Sequence, residues 1–141
     1  MKRKYLACLA ALFCFVPAGL AIWAHVSLKE LLKETDLIVV ARLTNVSEVT
    51  TNRVDYGSGT LTVTEVIRGS AKTGDKLRLE WSNSSGIVCP RVEHRGHKDQ
   101  TLIWLLQAST NKVVTADYPG RVLELKQRAE LNKLLKKEKK K

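Results

Sequence analysis

The chain has 141 residues, a formal net charge of +10, 44% hydrophobic residues and three cysteines. That length supports one domain with a sizeable core and excludes a large multidomain assembly. Two of the cysteines, Cys8 and Cys14, lie in the first fourteen residues, so a disulfide-built scaffold is excluded as well.

The positive charge is unevenly placed. Lys2, Arg3 and Lys4 contribute +3, and the segment from Arg121 onward contributes +6, with nine Lys/Arg against Glu124, Glu130 and Glu138. His25 to Gly120 carries twelve basic and eleven acidic residues, a balance of +1. Basic patches interleaved with aromatics, the usual footprint of nucleic-acid binding, are missing from this body, so no nucleic-acid partner is expected. The run Lys136-Lys137-Glu138-Lys139-Lys140-Lys141 reads as a solvated helix end. Its membrane contact is limited to weak attraction for anionic lipid, roughly 1 kcal/mol per charge.

Residues 1–24 read as a signal peptide. A basic start precedes an apolar core from Tyr5 to Phe15, Pro17 breaks it, and small residues allow cleavage after Ala21 or after Ala24. The alternative is an uncleaved anchor, since Tyr5 to Ala24 is about the ~20 apolar residues that a span requires. On either reading the domain is exported, secreted or periplasmic in a bacterial setting, or tethered outside by its N-terminus. Cleavage leaves Cys89 as a single thiol in an oxidising compartment.

Ser27-Leu28-Lys29-Glu30 fits a capping box and starts a short helix to about Thr35. Asp36 to Val46 is a strand, apolar on both faces at its start and alternating later. Tyr56-Gly57-Ser58-Gly59 is expected to turn the chain. Thr60 to Arg68 alternates, with Leu61, Val63, Glu65 and Ile67 on one face. After Thr73-Gly74-Asp75, Lys76 to Trp81 puts Leu77, Leu79 and Trp81 on one side. Ser82 to Gln100 reads as a long polar loop, which in a small domain usually carries function. Thr101 to Leu106 is a strongly apolar strand, and Val113 to Ala116 is its short partner. Asp117-Tyr118-Pro119-Gly120 breaks the sheet, and Val122 to about Lys137 is expected to be a terminal helix through Leu131, Leu134 and Leu135. Trp81 and Trp104 occupy strand positions and are expected in the core.

Five strands in about 80 residues suit a small barrel of the oligonucleotide/oligosaccharide-binding (OB) type, mainly β, with a short N-terminal helix and a C-terminal helix. The division is then a leader at 1–24, an OB-like barrel domain at 25–120 and a helix with a basic tail at 121–141.

Chemistry concentrates in Cys89-Pro90-Arg91-Val92-Glu93-His94-Arg95-Gly96-His97. Cys89, His94 and His97 offer three soft or borderline ligands with C-x4-H-x2-H spacing, suited to zinc with one open position, or to copper. Glu93 or Asp99 would orient an imidazole, whereas Arg91, Arg95 and Lys98 oppose a cation. The same three cations would depress the Cys89 thiol and suit it to nucleophilic work with a histidine. In the plainest alternative Cys89 is a small buried hydrophobe and both histidines are solvated loop residues. His25, if exposed by cleavage after Ala24, would chelate copper through its amine and ring. The leading reading is an exported non-enzymatic domain that binds a protein or small ligand through Ser82 to Gln100. Metal binding by Cys89, His94 and His97 comes second, and an enzyme with Cys89 as nucleophile third.

The segments Thr35 to Leu43, Val63-Thr64-Glu65-Val66-Ile67-Arg68-Gly69, Gly74-Asp75-Lys76-Leu77 and Leu102-Ile103-Trp104-Leu105-Leu106 together resemble the netrin-like modules. That family includes the tissue inhibitors of metalloproteinases and many bacterial secreted domains of unassigned role, and the nearer resemblance is to the latter. The resemblance covers roughly Leu28 to Gln107 and implies a five-stranded OB-type barrel. The inhibitors act through an amino-terminal cysteine that chelates the protease zinc. Here the mature end is Ile22 or His25 with no cysteine near, and the family's paired disulfides are missing.

Overall fold

The computed structural model describes residues 26–84, 91–110 and 112–138. The segment expected to be a leader, His25, Cys89 with its neighbours at 85–90, Asn111 and the last three lysines lie outside the described residues. The protein is mainly β, with a short helix at each end: α1 (Leu28–Lys33), then β1 (Leu37–Thr51), β2 (Val54–Arg68), β3 (Lys76–Ser84), β4 (Thr101–Thr110), β5 (Val113–Thr115), β6 (Val122–Leu123) and α2 (Arg128–Glu138). Five strands are hydrogen-bonded in a ring, in the order β1-β2-β3-β5-β4 and back to β1. Only β3 and β5 run parallel within it. A sixth strand, β6, joins β4 through Ile103↔Leu123 and Trp104↔Val122.

Two-sided burial in β1 follows from this arrangement. Leu37, Val39, Ala41 and Leu43 point into the ring, where they meet Leu61, Val63, Leu77, Leu79, Trp81, Leu102, Trp104 and Leu106. Ile38 and Val40, with Ile103 and Leu105 of β4, point outward and are covered by Leu31 and Leu32 of α1, Leu123 of β6 and Leu131 of α2. Each fully buried aliphatic side chain contributes about 1.5–3 kcal/mol, so the terminal helices complete the core.

The capping box forms as expected: Ser27 Oγ accepts from the Glu30 amide at 3.3 Å, and Glu30 Oε2 accepts from the Ser27 amide at 3.0 Å. At the other end of α1, two arginines hold the last turn, Arg68 through carbonyl oxygens and Arg121 through side-chain oxygens. Arg68 donates to Leu32 O (2.6 Å) and Thr35 O (2.5 Å), and buried Arg121 donates to Thr35 Oγ1 (3.1 Å) and Glu34 Oε2 (3.3 Å).

Several expectations need correction. Tyr56-Gly57-Ser58-Gly59 is not a turn but part of β2, paired with β1 through Ser47↔Ser58, Glu48↔Gly57 and Val49↔Tyr56. The turn lies at Asn52-Arg53, both with positive φ (51° and 61°), the backbone that two-residue hairpins favour because it matches strand twist. The glycine instead allows a close approach, since a Cβ on Gly57 would sit 2.0 Å from Trp81 Cε2. The alternation expected along Thr60 to Arg68 also breaks. Ala41 pairs with Val63 and Val40 with Glu65, skipping Thr64; this bulge turns Val66 inward and Ile67 outward. Finally, the C-terminal helix starts at Arg128 rather than Val122. Val122 and Leu123 are β-branched or apolar and gain a strand partner, and Glu124 with Gln127 forms a capping box just before the helix.

Candidate binding cleft

The segment that follows the undescribed residues returns to the ring and stoppers one mouth of it. Val92 is buried, and its amide donates to Asp117 O at 3.3 Å. His94 opens a short 3-10 helix, His94–His97, and is only 3% exposed. Its ring lies parallel to Trp81 with centroids 4.2 Å apart and interplanar angle 13°, and parallel to Trp104 at 6.4 Å. His97 meets Trp104 edge-on at 6.2 Å. Asp99 N donates to Leu43 O at 2.7 Å, and Arg95 pairs with Glu48 at 3.4 Å. Glu48 in turn accepts from Trp81 Nε1 at 3.1 Å.

His94 is therefore a packing residue of the ring mouth, not a solvated loop residue. Neither of its ring nitrogens finds a hydrogen-bond partner among the described residues. Burial pushes its pKa down from 6.5 to about 4; the Ala116 and Val92 backbone groups lie close enough to pull the other way, though neither makes a hydrogen bond of good geometry, and His97 adds to the depression. The imidazole is neutral and lies parallel to both indoles, a role that aromatic stacking explains. Of the three candidate metal ligands, His94 and His97 share one 3-10 turn and Cys89 lies outside the described residues. Among the described residues no group of three His, Cys, Asp or Glu side chains is arranged to hold a metal ion. Trp81 and Trp104 are core residues, as expected.

Outside the ring, one strand over, is a cleft of about 460 Å³. Alternation explains its lining. Trp81 and Ala116 face inward, so their neighbours Glu80, Ser82, Thr115 and Asp117 face outward. Cross-strand register sets Ser47, Ser58 and Glu80 in one row and Val49, Tyr56 and Ser82 in the next. All of these residues line the cleft. Val49 and Tyr56 are among the largest exposed apolar residues, at 62% and 54%. Arg78 pairs with Glu80 at 2.7 Å. Partial burial raises the Asp117 carboxyl above the ordinary aspartate value, opposed by the nearby Arg121 guanidinium.

The cleft exists because β3 and β5 part company. Their parallel pairing spans only Arg78↔Val113 and Leu79↔Val114, after which β3 runs on with β2 alone through Ser84. Of the long loop expected from Ser82 to Gln100, Ser82 belongs to β3 and lines the cleft, while Val92 to Asp99 brace it from behind through Glu48 and Trp81. Sequence reasoning missed Val49, Tyr56, Glu80 and Asp117. The signal that would have found them is the shared period of two in 47/49, 56/58, 80/82 and 115/117, hidden once Tyr56 to Gly59 is taken as a turn. Neither a protein-family model nor a curated protein matches this chain.

Proposed function

We propose that the chain is an exported, non-enzymatic binding domain of netrin-like, OB-type architecture, and that it takes a protein partner on the outer cleft. Support for the scaffold is the ring order β1-β2-β3-β5-β4 with a parallel β3/β5 pair and an interior filled by side chains. Support for export is the leader-like segment before Ala24. The observation that carries the binding reading is the solvent-facing Val49–Tyr56 pair beside a cleft with a few charged groups, since apolar side chains gathered around a concavity and rimmed by polar ones mark interaction sites.

Site-specific photocrosslinking tests this reading. A benzophenone side chain in place of Tyr56, in cells that export the protein, is expected to give a discrete adduct that the same probe at Lys133 does not. Equal labelling from both positions, or none from Tyr56, would overturn it. The metal reading keeps one observation in its favour: among the described residues, neither ring nitrogen of His94 has a hydrogen-bond partner of good geometry. Elemental analysis of the purified protein decides it: stoichiometric zinc or copper, lost in Cys89→Ser, would establish that reading, and metal-free protein would dismiss it.

A further inference from the structure

Among the described residues, the outer edge of β3 has no strand neighbour beyond the Glu80 amide. Arg78 N donates to Lys112 O at 2.8 Å, toward the β5 side. Backbone groups alternate sides along a strand, so the amides of Glu80 and Ser82 point the same way, away from β2. The parallel pair Leu79↔Val114 takes the first of them, with Glu80 N donating to Val114 O, and leaves the Glu80 carbonyl and the Ser82 amide beyond it. Pairing with β5 stops at Leu79↔Val114, and among the described residues the Ser82 amide has no backbone partner on that side. A strand edge that stays open beside an apolar pair is a template for another chain.

Resting on the binding reading above, we propose that the occupant of the cleft is an extended polypeptide segment of the partner, added as a strand along Glu80 to Ser84 of β3. Main-chain hydrogen bonds to the outward groups of β3 supply affinity, and alternate side chains supply selectivity. Side chains on the outer face meet Ser82 and, one strand further, Tyr56, with Val49 the next strand beyond, which suits β-branched or aromatic residues. Across the gap stands Asp117, while Arg78 and Glu80 neutralise one another. The remaining charge favours a lysine or arginine in the incoming segment over an acidic residue. A membrane or a nucleic acid fits this groove poorly, because each would be drawn by unpaired cations.

The test uses the purified protein and a designed octapeptide alternating valine with lysine and threonine. Its binding is followed by amide shifts in the labelled protein. Shifts are expected at Glu80, Ser82 and Asp117. Ser82→Pro removes one outward amide, and proline is tolerated on a strand edge; this variant is expected to keep its thermal midpoint yet bind about tenfold more weakly, in keeping with one or two lost hydrogen bonds. Two peptides N-methylated on opposite alternating sets of residues give a check that needs no folded variant: one set is expected to bind and the other to fail. An acidic counterpart, glutamate for lysine, is expected to bind more weakly, with the difference reduced in Asp117→Asn. Binding indifferent to backbone methylation, shifts centred elsewhere, or no shift at millimolar peptide would overturn strand addition. A discrete Tyr56 photoadduct alongside any of those results would leave the binding face standing and remove only the strand-addition mode.

Discussion

Gly57→Ala is expected to be among the most damaging single-methyl additions in this protein. The new Cβ would lie 2.0 Å from Trp81 Cε2, 2.1 Å from Nε1 and 2.4 Å from Cζ2. Carbon atoms settle at about 3.5–4.0 Å, so the indole must retreat by roughly 1.5 Å. Its retreat is blocked, because His94 stacks on the ring at a centroid separation of 4.2 Å, and Glu48 holds Nε1 at 3.1 Å. Overpacking of this kind costs typically about 1–3 kcal/mol, and a broken indole hydrogen bond adds about 1 kcal/mol. A loss of about 3 kcal/mol is therefore expected, a large share of the roughly 5–15 kcal/mol that holds such a domain. Urea unfolding followed by tryptophan fluorescence measures it. Trp81→Leu removes the obstacle, so the double variant should lose much less than the sum of the two single losses. A Gly57→Ala protein within about 0.5 kcal/mol of wild type, the range of neutral surface changes, would refute the argument, as would strict additivity in the double variant.

His94 gives a second expectation. Its folded pKa is lowered from 6.5 to about 4, so protons bind the unfolded chain more readily, and stability present above about pH 6.5 is lost as pH falls toward 4, by about 3 kcal/mol at most. Glu30 and Glu65 are held below the ordinary carboxylate range, by Ser27 hydrogen bonds and by Arg128 respectively; they add to the loss only below about pH 5. Denaturation of chelator-treated protein between pH 7 and pH 5, beside His94→Phe, reads the histidine alone, and an equal slope in both proteins would contradict it. Arg121→Met should loosen α1 by about 2 kcal/mol through its lost hydrogen bonds, seen as faster amide exchange at Leu31 and Leu32; unchanged exchange would show that Arg68 suffices. Arg128→Ala breaks a forked pair with Glu65 that is open to solvent and should leave the urea midpoint nearly unmoved, because exposed ion pairs are weak.

Much of this organisation was legible where local chemistry is decisive. Ser27 and Glu30 announce a helix start through a reciprocal pair of hydrogen bonds, and the apolar run from Leu37 to Ala41 announces burial on both faces. The misreadings share one cause, a reliance on residue type where long-range packing decides. Gly57 looks like a turn residue until Trp81, 24 positions later, is seen lying on it. Val122 and Leu123 continue a helical pattern until β4 offers them a hydrogen-bonded edge. Thr64 gives no local hint that it will be skipped by Val40 and Ala41. His94 sits in a polar segment and so invites a reading as available for chemistry, yet a neutral imidazole is flat and apolar enough to stack parallel to buried indoles. The outward row that makes the cleft was in the sequence as a period of two, but its meaning depends on where β3 and β5 separate.

The pairing of β1 with β4 carries a kinetic consequence. Leu37 meets Leu106 and Arg42 meets Thr101, so joining them means drawing together segments far apart along the chain. Loop-closure entropy grows with that separation, and such contacts are slow to nucleate. The β1–β2 hairpin, by contrast, turns on two residues and can assemble alone. Each newly made molecule therefore passes through an interval in which the hairpin is made but its apolar strand edge is bare. The length of that interval is governed by arrival of the last third of the polypeptide, the timekeeper of the chain's own safe maturation.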